Sequence, residues 1–311
     1  MKTTPFLPQL ITFACLAVFT FSGCKKETSS SGLTSEQEEE IATFSAESET
    51  NNEVIFNDVF DNVLGVNNDV GMAGLGVFGR KSNTLTGGRE SGMDSITCYT
   101  ISITHLNAPD IFPMKIEIDF RGGCQGKDGH IRSGKMISTY TGRLTIPGKS
   151  VTTVFEGFRF DSLTVEGIQT ITNSTNAGSI RRQFTIDIKD GKLTTPSGSY
   201  SAWTSHRVIT QIEGNGTPDL PLDDIFSITG NAHGKLKRGD ILNAWQSEIL
   251  DPLIKRFTCH WISKGTLKVW RETLQSTSPW AGTLNYGDGT CENKSVTITI
   301  NGVTSTKTIG E

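Results

Sequence analysis

Lysine and arginine are missing between Glu27 and Asp69, a stretch that carries eleven acidic residues. From Arg80 onward 26 basic residues stand against 22 acidic ones, so the rest of the chain is close to neutral. Neither part has the basic stripe that a phosphate backbone needs, which argues against nucleic acid as a partner. Close cysteine pairs are also missing. A four-cysteine zinc site wants Cys-x-x-Cys spacing, whereas Cys98 and Cys124 lie 26 positions apart and Cys259 and Cys291 lie 32 apart. The five histidines (His105, His130, His206, His233, His260) show no metal-ligand spacing, and there is no Gly-x-Ser-x-Gly element. No metal, no cofactor and no catalytic residue is therefore assigned. Asp223-Asp224 is the only adjacent acidic pair after residue 80. A glycosidase needs two carboxylates across a cleft, which adjacency does not supply; a loop or strand edge is the expected setting.

What is present at the start reads as an address. Met1–Gly23 has one charged side chain, Lys2, then an apolar run from about Leu10 to Phe21 and small residues ahead of Cys24. The run is short for a span of ~20 residues, and small residues before a cysteine mark a cleavage site. The segment resembles a bacterial lipoprotein lipobox, with Phe21 where leucine is commoner. The resemblance implies a signal peptide over 1–23 and lipidation of Cys24. Lys25 follows where an inner-membrane retention signal would have aspartate, so the expected place is the outer membrane, lipid-anchored, with exposure on the cell surface left open.

Residues 24–33 then form the lipidated cysteine and a flexible tether without apolar side chains until Leu33. An acidic amphipathic helix is predicted over 34–65. Thr34 or Ser35 can cap it, Glu38 stands at the capping-box position, and Phe56, Val59, Phe60 and Val63 share one face. Thr50–Asn52 is a candidate break. The apolar face is expected to pack on the body and the carboxylates to face water. Residues 66–95 are rich in Gly and Asn and read as a loop-rich connection.

From residue 96 the pattern changes to period two. Ile116, Ile118 and Phe120 oppose Lys115, Glu117 and Asp119; Phe184, Ile186 and Ile188 oppose Gln183, Thr185 and Asp187. One wet and one buried face are the mark of antiparallel sheets. Turn signals punctuate the runs, among them Asp128-Gly129, Asp190-Gly191 and Asn301-Gly302. The fold class is mainly β: an antiparallel meander forming a sandwich or a strongly curled sheet over 96–311, with the helix at its N-terminal side. Gly214–Leu222 is the best internal break, dividing two pseudo-repeated halves, about 96–213 and 223–311.

The halves are recognised by a shared frame. Thr97-Cys98-Tyr99-Thr100-Ile101-Ser102 returns as Thr258-Cys259-His260-Trp261-Ile262-Ser263, and each is followed by a strand, a glycine turn and a closing cysteine, Cys124 or Cys291. With Cys15 in the leader and Cys24 lipidated, four cysteines remain in an oxidising compartment, with three possible pairings. If His105 opposes Met114, Cys98 falls near Cys124; if Trp270 opposes Ala281, Cys259 falls beside Cys291. Local disulfides Cys98–Cys124 and Cys259–Cys291 are the expected pairing.

Other motifs have plain readings. Gly129–Lys135 fits the first part of a phosphate loop, but Met136 replaces the hydroxyl residue and a strand follows, so a hairpin turn is expected. Arg238-Gly239-Asp240 reads as a turn. All five tryptophans lie between Trp203 and Trp280; core packing is the simple reading, exposed sugar-stacking platforms the other. Asp94-Ser95-Ile96 and Asp161-Ser162-Leu163 resemble Bacteroidota-type O-glycosylation sites, which would place both serines on exposed loops.

The whole mature chain looks like an uncharacterised group of Bacteroidota-type outer-membrane lipoproteins. The resemblance rests on Phe112-Pro113, Ile118-Asp119-Phe120, Arg132-Ser133-Gly134-Lys135, Tyr140-Thr141-Gly142, Val165-Glu166-Gly167 and Tyr286–Cys291. It implies location and fold and no activity. The function expected is a lipid-anchored envelope protein that acts as a non-catalytic binding or structural module. The alternatives are a lipid or lipoprotein carrier with an apolar cavity, and a glycan-active hydrolase. The membrane is reached through the lipid anchor, and a glycan or an envelope protein is the kind of partner left open.

Overall fold

The computed structural model describes residues 32–66, 70–71, 98–126, 128–217, 223–259, 261–292 and 294–308. The expected signal peptide, Cys24, nearly all of the expected tether, most of the 66–95 connection and the Asp94-Ser95-Ile96 match lie outside the described residues. No described helix is long and apolar enough to cross a membrane.

Among the described residues one helix, α1 (Ser35–Gly65), precedes fourteen strands. They are β1 (Thr100–His105), β2 (Met114–Asp119), β3 (Cys124–Gln125), β4 (Ile131–Tyr140), β5 (Ser150–Phe160), β6 (Leu163–Asn173) and β7 (Gln183–Thr194). Then come β8 (Tyr200–Glu213), β9 (Ile225–Arg238), β10 (Ile241–Arg256), β11 (Lys264–Arg271), β12 (Gly282–Asp288), β13 (Ser295–Ile300) and β14 (Val303–Thr308). They make a single antiparallel sheet in chain order, with β3 as a short extra partner of β4 and with β1 and β14 as its edges. Of the two expected arrangements, the curled single layer is the one found. The expected halves are parts of one sheet: β8 and β9 pair from Tyr200↔Lys237 to Glu213↔Ile225, straight across the Gly214–Leu222 break.

The sheet wraps around α1. Arg238 ends β9 and Lys307 lies on β14, five strands on, about 24 Å away in a flat sheet. Yet both donate to the one carboxylate of Glu47, each at 2.7 Å. Bulges supply the bend, since each adds local twist. Register shifts interrupt the ladders between β4 and β5, β5 and β6, β6 and β7, and β7 and β8. Glycine is required at two of them. A Cβ on Gly134 (φ 75°) would stand 2.2 Å from Gly157 O, and one on Gly167 (φ 118°) would stand 2.7 Å from the Gly191 Cα. Neighbouring strands are pressed backbone to backbone there.

The predicted apolar face of α1 is buried. Phe56 packs on Trp203 with centroids 5.5 Å apart, and Phe60 meets Phe184 edge-on at 5.9 Å. Strand alternation holds as read: Ile116 and Ile118 of β2, and Phe184, Ile186 and Ile188 of β7, all point inward. Two expectations for the helix fail. It runs unbroken through Thr50–Asn52, because Thr50 Oγ1 donates to Ala46 O (3.0 Å) and Asn52 Nδ2 to Ser48 O (2.7 Å), so polar side chains that compete with helical backbone are satisfied inside it. And its carboxylates do not all face water: Glu38, Glu49 and Glu53 are buried, each against an arginine. A helix enclosed by a curled sheet has too little outward face to expose them.

Both disulfides form as expected, Cys98–Cys124 and Cys259–Cys291, with Cα–Cα distances of 5.3 and 5.4 Å. His105 faces Met114 in the first hairpin, and Val269 faces Gly282 in the second, which is the register that puts Trp270 opposite Ala281. Closing 26- and 32-residue loops is worth roughly 3–4 kcal/mol each by the chain-entropy estimate.

Candidate functional site

Besides the Glu47 pairs at the surface, four sets of more deeply placed ion pairs join helix to sheet among the described residues. Arg207 on β8 donates through Nη2 to Glu49 Oε1 (2.9 Å) and Glu53 Oε2 (3.0 Å). Glu49 is fully enclosed, and its carboxylate also accepts from Ser247 Oγ (2.7 Å), Trp203 Nε1 (2.9 Å) and Trp245 Nε1 (3.1 Å). Burial pulls the Arg207 pKa down, and Glu53 and Glu49 outweigh it, so the guanidinium stays charged. Arg132 on β4 is clamped between Asp58 of the helix (2.5 Å) and Asp128 (2.6 Å). Burial raises the Asp58 carboxyl above its ordinary range, although Arg132 opposes the rise; Asp128 ends below its range because Arg132 outweighs burial there. Lys255 meets Asp61 at 3.0 Å and Arg271 meets Glu38 at 2.7 Å. These carboxylates are taken up in holding the buried cations: Glu38, Glu49 and Glu53 are themselves buried, and Asp58 and Asp61 are only partly exposed.

The space that opens to solvent lies at the mouth of the curl. A cleft of about 460 Å³ is floored by the helix residues Phe44, Glu47, Ser48 and Asn51. One flank brings Leu163, Leu193, Tyr200 and Leu236 from β6–β9; the other brings Val296, Ile298 and Lys307 from β13–β14. Hydroxyls of Ser197, Ser199 and Thr308 add to the lining. Arg238 stands over the Phe44 ring, its guanidinium carbon 3.9 Å from the centroid, and Lys192 Nζ stands 5.5 Å from the Tyr200 centroid. A second concavity of about 500 Å³, more open, lies by the Asp251–Pro252 bulge of β10, with Lys264, Thr266 and Asn285. Its carboxylate, Asp251, is taken by the Thr266 hydroxyl. The first cleft is the better candidate, because elements far apart in the chain converge on it.

The sequence candidates scatter. Asp224 is buried and accepts from Gln211 Nε2 at 2.7 Å, and burial pushes its carboxyl up to about 6. Its neighbour Asp223 is exposed and accepts from Thr217 Oγ1 at 2.7 Å. The pair is split between inside and outside, and neither residue lines the cleft. His130 pairs with Asp161 and His206 with Asp187, both at 2.7 Å on the surface. His105 Nδ1 lies 2.9 Å from Ile111 O, and His260 lies outside the described residues. No group of three metal-ligating side chains occurs among the described residues. Trp203 and Trp245 are core residues, and Trp261, Trp270 and Trp280 are half-buried. Of Gly129–Lys135, Gly129 and His130 lie in the turn between β3 and β4 and the rest opens β4, while Arg238-Gly239-Asp240 makes the turn between β9 and β10. Ser162 is exposed in the β5–β6 turn. The sequence reading missed Glu47, Arg238 and Lys307, which meet only because the sheet curls. No family model, curated protein or solved structure matches this chain.

Proposed function

We propose that this chain is a lipid-anchored outer-membrane module of the cell envelope, of the Bacteroidota-type lipoprotein kind, that binds a ligand without converting it. The observation that carries the binding part is the cleft at the mouth of the curl, built from α1, β6–β9 and β13–β14 beside a body whose buried charges are already paired. The concave face that a lipid carrier would keep open is taken by Phe56, Val59, Phe60 and Val63, all buried, which favours binding at the mouth over transport in the core. The lipobox ahead of Cys24 supports the anchor.

The test uses the full-length protein in detergent against a panel of polysaccharides, peptidoglycan fragments and esters. Retention of a panel member without turnover is expected. Turnover that disappears on Asp223→Asn or Asp224→Asn, with circular dichroism unchanged, would replace the binding reading with a hydrolase. In cells, Cys24→Ser should leave precursor or misplaced protein; outer-membrane fractionation that survives a carbonate wash would refute the anchor.

A further inference from the structure

The cleft is uneven in its chemistry, and the unevenness specifies a ligand. Its interior is branched aliphatic, from Leu163, Leu193 and Ile298, with the rings of Phe44 and Tyr200 beside them. Ser and Thr hydroxyls and the Asn51 amide supply short, neutral donors and acceptors around that surface. Apolar ring faces set among hydroxyls suit a molecule with C–H faces and a fringe of hydroxyl groups, which is a sugar.

The charges refine the class. Lys237, Arg238 and Lys307 line the cleft against one carboxylate, Glu47. Arg238 Nη1 donates to Glu47 Oε2 and Lys307 Nζ to Glu47 Oε1, so one carboxylate is gripped with one cation on each oxygen. A guanidinium has five N–H donors and an ammonium three, and these side chains remain 54% and 50% exposed. Both cations keep donors for a second acid group, and Glu47 displays the geometry that such a group meets.

We propose that the cleft binds an acidic saccharide, a sugar ring that carries a carboxylate, with the ring against Tyr200 and the carboxylate on Arg238 and Lys307. The assignment rests on the binding-module reading and names its ligand class. Glu47 acts as an internal competitor for the two cations, tethered at high effective concentration.

The experiment titrates the full-length protein in detergent with digalacturonate, with neutral galactobiose and with the dipeptide Glu-Glu, by calorimetry. Digalacturonate should bind about tenfold or more tighter than either comparator. Arg238→Gln and Lys307→Gln should each weaken digalacturonate by about tenfold and leave galactobiose unchanged, while Tyr200→Ala weakens both sugars. Glu47→Gln should tighten digalacturonate, a gain that a merely structural Glu47 would not give; its partners are half exposed, so the variant folds. Equal binding of the two sugars, equal binding of Glu-Glu, or weaker binding by Glu47→Gln overturns the assignment. If neither sugar binds but another panel member is retained, the ligand class is wrong and the binding reading stands; if nothing is retained, both fall. Cleavage of digalacturonate would keep the site and end the non-catalytic reading.

Discussion

Replacing Arg207 with methionine keeps an unbranched apolar stem reaching about as far as Nε and deletes one buried charge. Two carboxylates are then left on the helix, and they are not equally exposed to the loss. Glu49 keeps Trp203, Trp245 and Ser247 as donors. Glu53 loses the bonds that Arg207 Nε (3.2 Å) and Nη2 (3.0 Å) make to its Oε2, and keeps the Asn57 amide on Oε1 at 3.0 Å. Breaking a buried pair by removing one partner costs about 3–5 kcal/mol, a large part of the ~5–15 kcal/mol that holds a domain together. Guanidinium chloride unfolding followed by tryptophan fluorescence reads it well, since Trp203 and Trp245 both touch Glu49. The midpoint should fall with the slope unchanged. Adding Glu53→Gln to Arg207→Met should recover part of the loss, because the stranded charge is then neutral. A loss of ~1 kcal/mol or less, the worth of a surface ion pair, would refute the claim that helix docking desolvates this cluster.

Asp224 predicts an opposite pH trend from the usual carboxylate. Its folded pKa, pushed up to about 6 by burial, lies above the unfolded value, so the folded state holds the extra proton and stability falls as pH rises from about 4 to about 6. Asp224→Asn should remove that slope, so that the variant gains on wild type as pH rises from 4 to 7; parallel stability curves would refute it. Replacing Cys98 and Cys124 with alanine together, or Cys259 and Cys291 together, should each lower stability by roughly 3–4 kcal/mol. Urea unfolding measures it, and a loss under about 1 kcal/mol would mean that the staple contributes little.

The sheet was legible because each strand repeats one local rule. In β2 every second residue is buried, and the same alternation marks β7 and β13. The staples were legible because hairpin register is arithmetic. The buried charges were readable only in part. Arg207 stands at an inward position, between Ser205 and Ile209 on a strand whose buried residues fall every second place, and Lys255 does the same between Leu253 and Phe257. A cation at an inward position asks for a buried anion, and an acidic helix with Glu49 and Glu53 one turn apart is the only dense source of them in the chain. A strongly curled sheet was one of the two expected arrangements, but the amount of curvature was not readable. It comes from bulges at Gly134, Gly167 and similar positions, whose effect adds up over many strands, and the cleft depends on that total.

The buried ion pairs and the cleft are parts of one device. Hydrophobic contact alone would let an amphipathic helix slide in a curled sheet, since Phe56 and Phe60 could exchange aromatic partners at little cost. Charges do not permit this. Glu38, Glu49 with Glu53, Asp58 and Asp61 meet Arg271, Arg207, Arg132 and Lys255 at separate points along α1. A slip of one turn, about 5.4 Å, would strand a charge at each of them. Fixing register is the best-attested use of buried polar groups. Here it also sets the floor of the cleft, because Glu47 and Ser48 lie within two residues of Glu49 on the helix, and Asn51 lies between Glu49 and Glu53. The floor of the cleft is therefore held in place by the buried, paired residues beside it, so the surface at the mouth is formed by the same contacts that fix the helix.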